Sequence, residues 1–173
     1  SQAFRIVGEP TIEIVSPGLD ENWPVSEIHT ISWSKGGKMD NDFLVSYSTA
    51  PYLGTNDITG IVSYNPTNNT FNLAWAVPDQ LGPTRIRVVH NVYPQIVDTS
   101  EVFHVVGQFT VISPNGGEPE IYANKPVTVS WYTRGSANEV NLYYSADPLH
   151  AAGSWTLIAA SVPNNGLGTN DVL

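Results

Sequence analysis

The sequence predicts an all-β protein built from tandem antiparallel β-sandwiches, the last of them incomplete. Three observations lead to this prediction. Short runs rich in β-branched and aromatic residues recur along the chain and show a period of two. Turn residues separate these runs, and no window carries the apolar stripe of an amphipathic helix. The same motifs also occur twice in the same order, about 97 residues apart in a chain of 173.

The elements of the first unit follow one another as seven predicted strands. In chain order they are IEIV, HTISW, FLVSYS, GIVSY, TFNLAWAV, TRIRVVH and EVFHVV. Alternation along each strand separates a core face from a solvent face. It predicts a core that includes Trp33, Tyr47 and Trp75, with Trp131 and Tyr144 at the equivalent places of the second unit.

The second unit repeats the first four strands as FTVI, VTVSW, VNLYYS and SWTLIAAS. The opening octet SQAFRIVG resembles SEVFHVVG, which begins 99 residues later at the last strand of the first unit. These matches predict a terminal strand of a preceding repeat over residues 1–8, and a complete sandwich over 9–107. They also predict a second sandwich over 108–173 that is truncated after about four strands. The pentapeptide LGTND occurs twice outside this register, at Leu53 and Leu167, and is interpreted as shared loop composition.

Composition excludes several classes of function. The chain has 7 Lys+Arg against 16 Asp+Glu, which argues against a nucleic-acid partner and against an anionic membrane surface. It has no cysteine, so disulfides, thiolate metal sites and cysteine nucleophiles are excluded. We expect no membrane insertion, because no apolar run approaches the ~20 residues that span a bilayer. The sequence also lacks a nucleophile elbow, a phosphate loop and a metal-hydrolase motif, so no enzymatic activity is predicted.

A specific resemblance rests on motifs of the second unit. They are SPNGGE at 113–118, VTVSW at 127–131, Tyr144-Ser145, WTLIA at 155–159 and VPN at 162–164. The first unit keeps AWAVP, RIRVV and the D-x-S pair Asp98 and Ser100. This pattern resembles the immunoglobulin-like repeat of fungal cell-wall glucan-assembly proteins and of tandem arrays in large secreted bacterial surface proteins. The resemblance implies immunoglobulin-like or fibronectin-III-like sandwiches, an extracellular or cell-surface location and no catalytic activity.

Two groups of oxygen-bearing residues are candidate cation sites. Asp40 and Asp42 lie in a predicted loop, and Asn115 and Glu118 surround a Gly-Gly turn. A Ca²⁺ ion takes six to eight oxygen ligands, and neither group supplies them or the alternating acidic loop of an EF-hand. We therefore favour structural turns and expect no cofactor, with Ca²⁺ as the alternative.

Aromatic and surface residues supply the remaining candidates. Trp155, Tyr132 and Tyr143 are candidate rings for stacking on a glycan. Asn68 begins an Asn-Asn-Thr glycosylation sequon, which matters in a eukaryotic secretory host. Arg85 and Arg87 alternate with apolar residues, so they form either a solvated strand face or a partner contact.

The leading functional hypothesis is a set of non-catalytic structural or adhesive spacer modules of a larger secreted, cell-surface or filament-forming protein. Its partners would be neighbouring repeats or copies of itself, together with cell-surface glycans. One alternative is a carbohydrate-binding accessory domain of a secreted hydrolase. Another is a filament subunit that assembles by β-strand donation, since the octet is a free strand and the last sandwich lacks strands.

Overall fold

The computed structural model describes residues 8–52, 54–117, 122, 125–147, 149, 153–165 and, for the backbone alone, 168–172. Every regular element in this part of the chain is a β-strand, which confirms the predicted all-β class. The chain divides into two compact units, Ser1–Val106 and Gly107–Leu173, here called unit 1 and unit 2. The predicted terminal strand over residues 1–8 lies outside the described residues except for Gly8.

Unit 1 is a sandwich of two sheets. One sheet has the order β1-β3-β7-β6, and the other has the order β2-β10-β8-β4-β5 with β9 also paired to β8. This is the arrangement of an immunoglobulin-like sandwich with additional edge strands. The strand bounds are β1 (Thr11–Ser16), β2 (Asn22–Pro24), β3 (Ile28–Gly36), β4 (Phe43–Thr49), β5 (Asn56–Ile58), β6 (Val62–Asn65), β7 (Thr70–Ala76), β8 (Gly82–His90), β9 (Val97–Thr99) and β10 (Phe103–Val106).

The seven strands predicted for unit 1 are all present, and three short ones were missed. The missed strands are β2, β5 and β9, each of three residues, which is too short to show a period of two. Within β2, Trp23 is buried and its ring stacks on His29 at a centroid distance of 4.6 Å. β2 pairs in parallel with β10 and is the strand at that edge of the second sheet.

The core of unit 1 lies between the two sheets and follows the predicted alternation. Burying each of its large side chains contributes about 1.5–3 kcal/mol, so this face fixes the register of every long strand. The buried hydrophobic residues are Ile12, Trp23, Val25, Ile31, Trp33, Val45, Tyr47, Phe71, Leu73, Trp75, Val77, Ile86, Val88, Phe103 and Val105.

The D-x-S motif joins the two sheets of unit 1. Among the described residues β1 pairs only with β3, so its other edge presents backbone groups without a ladder partner in that part of the chain. The carboxylate of Asp98 accepts a hydrogen bond from the Ile14 N–H at 2.8 Å and one from the Thr99 N–H at 2.8 Å. Ser100 Oγ accepts from the Ile86 N–H at 2.9 Å and donates to the Glu101 carbonyl at 2.7 Å. The motif therefore satisfies the backbone where β9 ends.

In the part of the chain that the structure describes, unit 2 has fewer strands than unit 1 and two smaller sheets. The sheets are β11-β12-β15 and β13-β14. One residue, Gly107, separates β10 from β11. The strand bounds are β11 (Gln108–Ser113), β12 (Val129–Arg134), β13 (Glu139–Ser145), β14 (Trp155–Pro163) and β15 (Gly168–Val172).

Two expectations about the strands of unit 2 need correction. About four strands were expected, and the described residues form five, because Gly168–Val172 pairs with β12 as β7 pairs with β3. The predicted fourth strand, SWTLIAAS, pairs with β13 and so takes the position of β5, whereas GIVSY of unit 1 pairs with β7. The composition of the two segments did not show which strand each would join, because the edge strand of either sheet can pair with an extended segment.

The repeated pentapeptide LGTND was interpreted as loop composition, and part of each copy is instead a strand. Asn56–Ile58 forms β5 on β4, and Gly168–Val172 forms β15 on β12. The two copies thus extend different sheets of their units. Both leucines lie outside the described residues.

Candidate functional site

The paired tryptophans at the ends of HTISW and VTVSW lie inside their units. Trp33 is 0% exposed and Trp131 is 3% exposed, so neither ring presents a platform for a sugar. Their polar environments differ. Trp131 Nε1 donates to Asn164 Oδ1 at 2.9 Å, whereas Trp33 Nε1 is buried and has no acceptor among the described residues.

Asn164 is the centre of the buried hydrogen-bond network in unit 2. Its Oδ1 accepts a second hydrogen bond from Thr133 Oγ1 at 2.8 Å, and its Nδ2 donates to the Ala137 carbonyl at 2.5 Å. Its backbone N–H donates to the Asn138 carbonyl at 2.9 Å. Sequence analysis did not select this residue, although the VPN motif that ends with it was the available signal. The residue 97 positions earlier, in unit 1, is Thr67, which lies in an exposed turn.

The other residues predicted for the core divide between the two units. Tyr47 and Trp75 are buried and their ring centroids lie 5.0 Å apart. Burial raises the pKa of the Tyr47 phenol above its ordinary value of 10.0. Tyr144 is 54% exposed, so its assignment to the core was wrong. The pairing of β13 with β14 is irregular between Val140 and Tyr143, and such a bulge changes the face that the following residues present.

The loop between β3 and β4, a candidate cation site, is occupied by a cation of the protein itself. Lys35 Nζ donates to the Met39 carbonyl at 2.6 Å and to Asn41 Oδ1 at 2.5 Å, and the Asp40 carbonyl lies 3.4 Å away. The carboxylates of Asp40 and Asp42 do not converge on this point. Asp40 Oδ1 lies 2.5 Å from His90 Nε2, and Asp42 Oδ2 accepts from Asn91 Nδ2 at 3.0 Å.

His90 completes this arrangement from the second sheet. Its side chain is 0% exposed, and Nδ1 accepts hydrogen bonds from the N–H groups of Val92 and Tyr93, each at 3.2 Å. The proton of the neutral ring is therefore on Nε2, the atom that faces Asp40. His104 pairs near the opposite end of β8, so the two histidines cannot share a metal. In the described part of the chain, no group of three metal-ligating side chains is present.

We expect Lys35→Met to destabilise unit 1 by about 1–2 kcal/mol, because it removes hydrogen bonds from a charged donor and keeps the apolar stem. Lys38→Met is the matched control, since Lys38 is exposed in the same loop. Equilibrium denaturation in urea measures both variants. Equal stability of the two would show that Lys35 does not organise the loop.

The second candidate cation group is only partly described. Asn115 is exposed, and Gly116 and Gly117 have φ angles of 84° and 92°, in the left-handed region that favours glycine. Glu118 lies outside the described residues. The geometry supports a tight turn at this point.

Two of the three candidate glycan-stacking rings are brought together. Tyr143 lies opposite Leu157, two residues from Trp155 along β14, so the two rings are diagonal neighbours on one face. They line an apolar groove of about 880 Å³ that Phe109, Val111, Trp131 and Leu142 also line. Tyr132 lies between two buried residues of β12 and therefore points away from this groove.

The sequon residue Asn68 lies in the exposed turn between β6 and β7. Its Oδ1 accepts a hydrogen bond from Thr70 Oγ1 at 2.7 Å. The Asn68 side chain is exposed, whereas Thr70 is buried at the start of β7. The turn leaves the asparagine accessible to a glycosylating enzyme.

Comparisons with known proteins give little beyond the fold. No protein-family model and no curated protein matches the chain. Among solved structures, the chain is similar to the M1 domain from titin, with a TM-score of 0.31 and 14% identity over 57% of this chain and 94% of that chain. The fold class rests on the sheets described above, and none of these comparisons supports the resemblance to fungal glucan-assembly repeats. No helix long and apolar enough to cross a bilayer occurs among the described residues.

Proposed function

We propose that the chain forms non-catalytic structural modules of a larger secreted or cell-surface protein. The observation that carries this proposal is the junction, where Gly107 alone separates the last strand of unit 1 from the first strand of unit 2. A one-residue connection leaves few free dihedral angles between consecutive β-units, as in arrays that act as spacers.

The polar residues support the same proposal. Each of five polar side chains is hydrogen-bonded to a backbone group: Asp98, Ser100, Lys35, His90 and Asn164. They connect strands and loops within a unit, and they do not converge on a common open cleft. A catalytic centre needs a nucleophile, acid or base placed within reach of a substrate.

Insertion of a flexible Gly/Ser segment after Gly107 tests this role. Small-angle X-ray scattering of the unaltered chain is expected to give a narrow distribution of interatomic distances, and the insertion should broaden it. The same segment inserted at Asn68, in an exposed turn of unit 1, is the control and should not broaden it. If the distribution of interatomic distances of the unaltered chain is as broad as that of the Gly107 insertion variant, the spacer proposal is wrong.

Strand addition between copies is a second candidate function. β4 pairs on both edges, with β5 and β8, whereas β13 pairs only with β14 in the part of the chain that the structure describes. The apolar groove of unit 2 lies beside β13. The octet SQAFRIVG resembles SEVFHVVG, whose Phe103 and Val105 are fully buried in unit 1. We propose that the octet of one copy enters the groove of another and pairs with the open edge of β13.

Sedimentation equilibrium of the full chain tests strand addition. Association should increase with concentration and should be lost in Phe4→Asp, because a charge in the apolar groove is strongly unfavourable. Gln2→Asp adds the same charge at a polar position and serves as the control. A chain that stays monomeric at high concentration, or that associates equally well with Phe4→Asp, would rule out this assembly.

The pair of half-exposed rings, Tyr143 and Trp155, supports a carbohydrate-binding role for unit 2. Their common face could stack on a sugar of a cell-wall polysaccharide. A pull-down on insoluble β-glucan should then retain the unaltered chain and lose Trp155→Ala, while Tyr132→Ala should be retained.

A further inference from the structure

A second concave surface lies on the outer face of unit 1. It encloses about 340 Å³, and Ser48, Tyr52, Thr55, Arg85, Arg87 and Thr99 contribute to its lining. In the strand register, Ser48 lies opposite Arg85 and Thr99 lies opposite Arg87. Their neighbours along β8, Ile86 and Val88, point into the core, so the two arginines point away from it.

The two arginines concentrate positive charge in an acidic protein. The chain has 7 Lys+Arg and 16 Asp+Glu, and two of these basic residues lie in one cleft. Among the described residues, neither guanidinium is within ion-pair distance of a carboxylate. Asp57 lies in the same row, but it pairs with Ser46, so strand β4 separates it from Arg87. Two like charges at adjacent positions of one face repel each other, and an anion bound between them offsets this repulsion.

Arg85 is already oriented by its neighbours. Its Nη1 donates to the Ser100 carbonyl at 3.2 Å, and its guanidinium carbon lies 6.0 Å from the centre of the Tyr52 ring. Tyr52 has a φ angle of 62°, a left-handed conformation that is unfavourable for a bulky residue. The Tyr52 N–H donates to the Thr49 carbonyl at 2.9 Å, so a tight turn holds the ring in this position. A guanidinium that is ordered in advance loses less entropy when it binds.

Ser48 provides an independent indication of a ligand. Its Oγ is buried and has no hydrogen-bond partner within the described ranges, although Ser48 lines the cleft. A buried hydroxyl without a partner is unfavourable, so buried polar atoms of folded proteins are nearly always paired. A rotation about χ1 would bring this hydroxyl to the cleft, where a ligand oxygen or hydroxyl would satisfy it.

We propose that this cleft binds a carboxylated sugar, with the carboxylate on Arg85 and Arg87. A planar guanidinium matches a carboxylate through two parallel N–H···O hydrogen bonds. The hydroxyls of Ser48, Thr55 and Thr99 complement the hydroxyls of a sugar ring, and the volume lies at the lower end of small-ligand sites. An acidic peptide would call for a longer groove. The site is independent of the spacer role and would give the module a ligand.

Titration of the ¹⁵N-labelled full chain with sodium glucuronate tests the site. Shifts are expected at Ser48, Tyr52, Arg85 and Arg87, with a dissociation constant on the order of 1 mM. Glucose, which lacks the carboxylate, should bind about tenfold more weakly or not at all. Arg87→Met should weaken glucuronate binding about tenfold or more. The control Arg134→Met, in unit 2, should leave binding unchanged.

Ser48→Ala separates binding from folding. It removes a buried hydroxyl that lacks a partner, so thermal stability should be unchanged or increased, while glucuronate binding should weaken. The proposal is overturned if glucuronate causes no shifts, if glucose binds equally well, or if Arg87→Met binds as the unaltered chain does. Binding of a Glu-rich peptide in the absence of glucuronate binding would also overturn it, and would identify an acidic protein as the partner.

Discussion

Replacing Asn164 with alanine is expected to lower the free energy of unfolding of unit 2 by about 2–4 kcal/mol. The substitution leaves the Trp131 N–H and the Thr133 hydroxyl buried without an acceptor, and each orphaned group costs about 1–3 kcal/mol. It also removes the hydrogen bond to the Ala137 carbonyl. Native-state hydrogen exchange of the β12 amides measures the loss for unit 2 separately.

Asn141→Ala is the matched control for Asn164→Ala. Asn141 is exposed in the same unit, and its Oδ1 accepts one hydrogen bond from the Ser161 N–H at 2.9 Å. Its removal should cost at most about 1 kcal/mol, because water can take its place. Equal losses for the two variants would show that Asn164 does not organise the interior of unit 2.

Replacing Asp98 with alanine is expected to destabilise unit 1 by about 1.5–3 kcal/mol. The carboxylate is the acceptor for the Ile14 N–H on β1 and the Thr99 N–H on β9, and so it bridges the two sheets. This loss is smaller than the sum of two charged hydrogen bonds, because Asp98 is partly exposed and water can partly replace its carboxylate. Chemical denaturation measures the change in the free energy of unfolding, and hydrogen exchange of the Ile14 amide measures the local loss of protection.

Asp57→Ala is the control for Asp98→Ala. Asp57 is an exposed carboxylate of the same unit on the edge strand β5, so its removal should change stability by less than about 0.5 kcal/mol. If the Ile14 amide exchanges at the same rate in both variants, the hydrogen bond between Ile14 and Asp98 does not contribute to stability.

Most of the fold of unit 1 could be predicted from local pattern. Each long strand places its apolar residues two apart, and Ile31 with Trp33, and Ile86 with Val88, are buried as that pattern requires. The prediction was weaker for elements without a pattern. β2, β5 and β9 each have three residues, and they form strands only because a neighbouring strand offers an open ladder.

Less of the candidate sites could be predicted. Residue types made Asp40 and Asp42 candidate cation ligands, with structural turns favoured, and Lys35 reaches the loop oxygens from the preceding strand. The arginines of β8 were recognised as a surface pair. The hydroxyls and the ring that make their cleft come from β4, β9 and the turn after β4, and no sequence spacing relates these segments.

The sequence by itself determined the all-β class, the repeat of about 97 residues and the core alternation of unit 1, because these depend on periodicity within short segments. The tertiary structure alone decided which edge each short strand joins, that β14 lies beside β13, and that Tyr144 turns outward. It also decided that Trp131 has Asn164 as its acceptor while Trp33 has none among the described residues. These outcomes depend on pairing between segments distant in the chain, where one residue of register shift changes every contact.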